Sequence, residues 1–254
     1  MGEAVKSPKL KMSLLVIVAV VIFVQRAWAA GTLSYDWTGW YIGAHLGYGW
    51  VNADTVDTPL YNGLPGHDTV IPSSLHPNPE GVTGGGQFGY NLQRGCFVFG
   101  IEADLSASAM SGTSTAAPIN LDGASIPGSQ IMSHEDISWY GTFRPRLGYT
   151  VTPLLLLYGT GGLAYGHANY TATEAYPTNQ FLGSVSNTKV GWTAGGGVEY
   201  AIGKRWSLKA EYLYVDLGSQ SVLVDSVPPN PPYQSKWEWN TAFHVVSIGM
   251  NIKF

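Results

Sequence analysis

Cysteine is almost missing from this sequence: Cys96 stands alone among 254 residues, so no internal disulfide can staple the fold. A single thiol at the start of an alternating apolar segment reads as a small structural residue rather than a nucleophile. Charge is scarce too, at 12% of residues. Nor is there a basic excess: 13 Lys and Arg against 17 Asp and Glu leave a formal charge of −4, which argues against nucleic acid as a partner. No apolar run approaches the roughly 20 residues that a membrane helix needs; the longest, Leu14 to Val24, has eleven. His67, His76, His134 and His167 are too dispersed to show a metal-ligand spacing. No cofactor or metal is therefore expected, with a haem or metal held by loop histidines as an alternative.

What is present begins with an export signal. Lys6, Lys9 and Lys11 precede the apolar run, and Ala27-Trp28-Ala29 follows it with the small-residue spacing of a cleavage site after Ala29. Residues 1–29 read as a signal peptide and residues 30–254 as one mature domain. Removing four bases and one acid takes the formal charge to −7.

The mature chain is rich in glycine, tyrosine and tryptophan, and it alternates with a period of two. In WYIGAHLGYGWV, Trp40, Ile42, Ala44, Leu46, Tyr48 and Trp50 share one face, with aromatics at both ends of the row. A soluble sandwich strand hides its apolar face, whereas aromatic-ended apolar rows suit a membrane barrel with interfacial girdles. The pattern recurs at about Val82 to Leu92, Cys96 to Ser106, Ile137 to Tyr149, Leu154 to Ala168, Lys189 to Tyr200, Trp206 to Leu217 and Val246 to Phe254. Eight strands of this length suffice for tilted crossings of nine to eleven residues. Short connections at 93–95, 151–153 and 203–205 alternate with long polar ones at 52–81, 107–136, 169–188 and 218–241. The expected fold is therefore all-β: an eight-stranded antiparallel up-and-down transmembrane barrel with four long external loops and three short periplasmic turns. Pro145, inside the fourth strand, cannot donate to a ladder, so a local bulge is expected there.

The polar faces carry four acids, Glu102, Asp104, Glu199 and Glu211, four bases, Arg144, Arg146, Lys209 and Lys253, and also His45. An eight-stranded interior is just wide enough for side chains to fill it, and enclosed charges must pair. The expectation is an internal ion network that plugs the lumen, with a gated ion path or proton relay as the alternative.

Enzymatic chemistry finds little support. GGGQFG, residues 84–89, matches the dinucleotide pattern formally but lies inside a strand. His134, Glu135, Asp136 and Ser138 are the best candidates for a lipid-modifying hydrolase, yet neighbours in a strand point to opposite faces, so no catalytic residue is assigned. In VPPNPPYQSKWEWN, Tyr233, Trp237 and Trp239 form either a loop recognition surface for an unknown ligand or, for Trp239, part of the outer aromatic girdle.

Several segments together resemble the small outer-membrane, porin-like β-barrel proteins of α-proteobacteria, relatives of the OmpA transmembrane domain: WTGWYIGAHLGYGW, GGGQFGYN, GTFRPRLGYT, LLLLYGTGGLAYG, GWTAGGGVEYAI, WSLKAEYLYVDLG and the terminal VVSIGMNIKF. The resemblance runs from Trp37 to Phe254 and departs at Pro145. It implies a cell outer membrane location, a role in envelope integrity, contact with membrane lipids and lipopolysaccharide, and surface exposure; some relatives bind haemin. It also implies that Ile248, Met250, Ile252 and Phe254 are read by the outer-membrane assembly machinery. A structural and surface-interaction protein is the leading functional expectation. A narrow porin-like channel, a haemin-binding surface protein and a lipid-modifying enzyme are the alternatives.

Overall fold

The computed structural model describes residues 34–51, 55–60, 69–70, 74–120, 124–177, 179–227 and 234–254. The expected signal segment with Ala27 and Ala29, and also His67 and Tyr233, lie outside the described residues. Eight long strands form the body: β1 (Gly39–Val51), β5 (Glu80–Arg94), β6 (Phe97–Ala116), β8 (Gln130–Thr152), β9 (Leu155–Tyr176), β10 (Asn179–Ala201), β11 (Trp206–Val227) and β12 (Gln234–Lys253). Each pairs antiparallel with the next, and β1 pairs with β12 from Tyr41↔Lys253 to Val51↔Phe243, so the sheet closes on itself. Closure leaves no unpaired edge in lipid, the condition for a sheet to cross a membrane. Four short strands lie outside the ring: β2 (Thr55–Leu60), β3 (Thr69–Val70), β4 (Ser74–Leu75) and β7 (Ile119–Asn120). Among them β2 pairs with β12 above the end of β1.

Six strands are long, from 20 residues in β6 and β12 to 23 in β8 and β10, about twice what a crossing requires. The surplus lies at the end away from the short turns and the termini, and it corrects the expected loops. Residues 169–188, read as a long loop, are almost wholly strand: β9 and β10 pair continuously from Tyr200↔Leu155 to Asn179↔Tyr176. Much of 107–136 and 218–241 is likewise ladder.

Aromatic contacts mark the two ends of the lipid-facing band. Near the turns, Trp40 stacks on Phe88 and Phe97 meets Tyr149; further up, Trp139 meets Tyr165 and Trp192 meets Tyr214. Between them Ile42, Leu46, Leu105, Leu147, Leu163 and Ile248 are exposed, as an outer face in hydrocarbon requires. Register shifts lie at the upper girdle: between Ala107 and Met110, between Ile137 and Trp139, and between Asp216 and Ser219. An extra residue in one strand reverses which alternate side chains face inward. On β8, Ile131, Ser133, Glu135 and Ile137 are buried above the bulge, and Tyr140, Thr142, Arg144 and Arg146 below it. The β11 bulge uses Gly218 at φ 73°, a conformation open to glycine at little steric cost, and its N–H donates to Asp216 Oδ1 at 2.8 Å.

Pro145 produces no bulge. Its β6 register is unbroken through Glu102↔Arg144, Ile101↔Pro145 and Gly100↔Arg146, and the pairs Phe143↔Leu163 and Arg146↔Thr160 share one register with β9. The missing N–H interrupts the ladder only on the β9 side, where the Thr160 hydroxyl donates to the Pro145 carbonyl at 2.8 Å.

Candidate functional site: the filled lumen

The interior is stacked in three layers. At the turn end, residues 34–38 cross the mouth of the barrel, and Tyr35 and Trp37 pack with Val98, Leu154, Leu156 and Tyr158. The Trp37 N–H donates to Gln93 Oε1 at 2.9 Å, and the Gln93 N–H donates to Thr38 Oγ1 at 3.1 Å, which fixes this strap across the opening.

Above it lies the ion network. Glu102 on β6 is its hub: Arg144 Nη2 and Lys209 Nζ approach Oε1 at 2.8 and 3.0 Å, Arg146 Nη1 lies 3.4 Å from Oε2, and the Tyr41 hydroxyl donates to Oε2 at 2.8 Å. Arg144 also reaches Asp104 and Glu211 at 2.9 and 3.3 Å. Arg146 Nη2 pairs with Glu199 at 2.8 Å, and its guanidinium lies 4.0 Å from the centroid of the Tyr158 ring. Thr142 donates to Asp104 and Tyr158 to Glu211, while Ser207 and Asn251 donate to Glu199. His45 sits beside the network between Gln87 and Ser106. All four acids and Arg144, Arg146 and Lys209 are buried. Such enclosed charges are tolerated only when paired; Arg144 Nε and Nη1 and Arg146 Nε have no hydrogen-bond partner among the described residues.

Lys253 does not join them. Its odd position gives it the inward parity of β12, but it closes the strand at the mouth, where Nζ donates to the Asp36 carbonyl and lies 4.6 Å from the Tyr35 ring centroid. The network therefore holds four acids and three bases.

The third layer fills the part of the barrel beyond the upper girdle, and here the interior is apolar: Met110, Ile131, Ile137, Tyr170, Val224, Trp237, Trp239 and Phe243 are fully buried. Trp237 and Trp239 thus belong neither to an exposed loop surface nor to the girdle. They lie inside, 6.1 Å apart and stacked, donating to Glu174 and Ser133 at 3.1 and 3.0 Å. Their neighbour Glu135 is also enclosed. Its Oε1 accepts from Thr241 at 3.1 Å, and Oε2 has no hydrogen-bond partner among the described residues. Burial pushes its carboxyl up to about 7, opposed by the Thr241 hydroxyl and by Lys189. The sequence carries no inward signal for these side chains, because an apolar row in a barrel strand reads as the lipid-facing one.

The candidate hydrolase cluster does not converge. Glu135 points inside; Ser138 donates to Asp136 on the outer face at 2.9 Å, and His134 bonds to Thr113 at 2.9 Å. Cys96 is exposed in the turn before β6. Ile248, Met250 and Phe254 are exposed on the outer face of β12, with Ile252 half-buried among them.

Comparison with known proteins agrees with this geometry. The outer membrane protein beta-barrel domain family matches residues 15–254. The chain is 36% identical to the 31 kDa outer-membrane immunogenic protein of Brucella melitensis over 228 residues, covering 89% of this chain and 87% of that one. It is 31% identical to a 22 kDa outer membrane protein of Rhizobium leguminosarum, covering 67% and 66%. Among solved structures, the outer membrane protease OmpT from Escherichia coli superposes with a TM-score of 0.50 over 88% of this chain and 99% of that one, at 10% identity, a likeness of fold alone. This chain belongs to the outer membrane protein beta-barrel domain family and is a protein of the cell outer membrane.

Proposed function

We propose that the protein is a non-conducting, non-catalytic component of the outer membrane that contributes to envelope integrity and meets lipopolysaccharide and external surfaces through its protruding rim. The observation that carries this reading is the filled interior, with an aromatic strap, an ion network and an apolar plug in series. Among the described residues the upper layer is packed mainly by apolar side chains, which opposes passage of an ion. The dispersal of His134, Glu135, Asp136 and Ser138 supports a role without catalysis. The outward Ile248, Met250 and Phe254 support recognition of the last strand by the assembly machinery. Deleting the gene from its host tests the reading: sensitivity to detergents should rise while uptake of small polar solutes stays unchanged. A fall in solute uptake with an intact detergent barrier would favour the narrow channel instead.

A further inference from the structure

The lipid-facing surface is not uniformly convex. Across β10, β11, β12 and β1 it carries a trough of about 680 Å³, within the range of small-molecule sites. The registers explain it. Leu46, Ile248, Ala210 and Val198 form one row across the four strands, and Ala44, Met250, Leu208 and Tyr200 form the row below. The two alanines are short where their neighbours are long, and Leu155, paired with Tyr200, borders the trough while itself buried. The lining is almost entirely hydrocarbon, so in the membrane it takes acyl chain rather than water.

Position and charge select among lipids. The rows lie one to seven residues from the turn-side ends of their strands, the end that short connections identify as periplasmic, and hence at the depth of the phospholipid leaflet. The turn joining β10 to β11, directly below the trough, presents Lys204 and Arg205, both exposed, and neither has an ion pair among the described residues. Beside them Trp206 is 43% exposed, at the depth where indole rings prefer the headgroup boundary.

We propose that this trough holds one acyl chain of an anionic phospholipid of the inner leaflet, whose phosphate lies against Lys204 and Arg205. This rests on residence in the outer membrane and is independent of whether the lumen conducts. Basic side chains near a membrane surface favour anionic headgroups, so preference for phosphatidylglycerol over phosphatidylethanolamine should be about tenfold or more.

The test is native mass spectrometry of the full folded chain in detergent, titrated separately with phosphatidylglycerol and phosphatidylethanolamine. Retention of boiling-sensitive electrophoretic mobility serves as the control for folding. The wild type should retain a single phosphatidylglycerol preferentially. Lys204→Gln with Arg205→Gln should abolish the preference, and Ala210→Trp, which fills the trough from the outer face, should abolish retention of both lipids. Equal retention of the two lipids by the wild type, or retention by Ala210→Trp at the wild-type level, overturns the proposal. So does a dimer in the same detergent that Ala210→Trp dissolves, since the trough would then receive a second copy.

Discussion

Glu102 and Arg144 face each other directly across the β6–β8 ladder, and their side chains meet at 2.8 Å with 2% and 1% of their surface exposed. A pair this enclosed is expensive to leave half-made. Removing one partner of a buried pair typically costs 3–5 kcal/mol, whereas replacing both by apolar groups is often tolerated. Glu102→Ala also removes an acceptor from Arg146, Lys209 and the Tyr41 hydroxyl. It should lower the stability of the folded barrel in urea by about 3–5 kcal/mol, with Arg144→Met similar and Glu102→Met with Arg144→Met costing less than the two single effects combined. Strict additivity in that cycle would contradict the shared network.

Glu135 makes the external plug sensitive to pH. Its carboxyl titrates near 7 in the fold against 4.5 when free, so the folded protein holds a proton that the unfolded chain has released. Stability is therefore greatest below about pH 4.5 and declines as pH rises through about 7, by about 3 kcal/mol in all. Urea midpoints measured from pH 5 to 8 should fall across that window and flatten in Glu135→Gln. A rise with pH would reverse the assigned cause.

Glycine makes room for the lumen at Gly89. A Cβ there would lie 2.3 Å from the Tyr41 hydroxyl oxygen and 2.7 Å from the Ile101 carbonyl, whereas at Gly86, on the outer face of the same strand, the nearest atom is 3.7 Å away. Gly89→Ala should destabilise by about 1–3 kcal/mol, the usual range for overpacking, and Gly86→Ala should be close to neutral. Comparable urea midpoints for the two variants would be inconsistent with this packing.

Trp239 should be separable from the membrane-spanning part. Trp239→Ala removes a buried indole that contacts Tyr170 and Ser133, a change worth about 3–5 kcal/mol. Amide exchange should accelerate in β8, β9 and β12 above the bulges, with heat-modifiable mobility retained because the ladder below is untouched.

The membrane-spanning part of each strand was legible because lipid imposes a simple rule: apolar side chains outward, girdles at the ends, polar side chains inward. That rule inverts above the upper girdle. On β12 the odd residues face inward throughout, yet they are Ser247 and Asn251 in the spanning part and Trp237, Trp239, Phe243 and Val245 above it. Outside lipid the hydrophobic effect sends apolar groups into the barrel, so an unbroken strand changes its apolar face without changing direction. In the sequence that inversion resembles the end of a strand, and the extensions therefore look like loops. The bulges at Ile137 and Asp216 compound it by shifting parity. Among the network residues, seven were identifiable from alternation, while Lys253 was lost because parity says nothing about height along the axis. At Pro145 the missing donor was visible, but not that the register would hold around it while the Thr160 hydroxyl donates to the proline carbonyl.

Single-channel recording from the purified, folded protein in planar bilayers tests the filled lumen most directly. Three occluding layers should give no stable unitary conductance across the physiological pH range in protein that shows the folded, boiling-sensitive band. Reproducible unitary steps from that same material would contradict the closed interior and make the protein a channel.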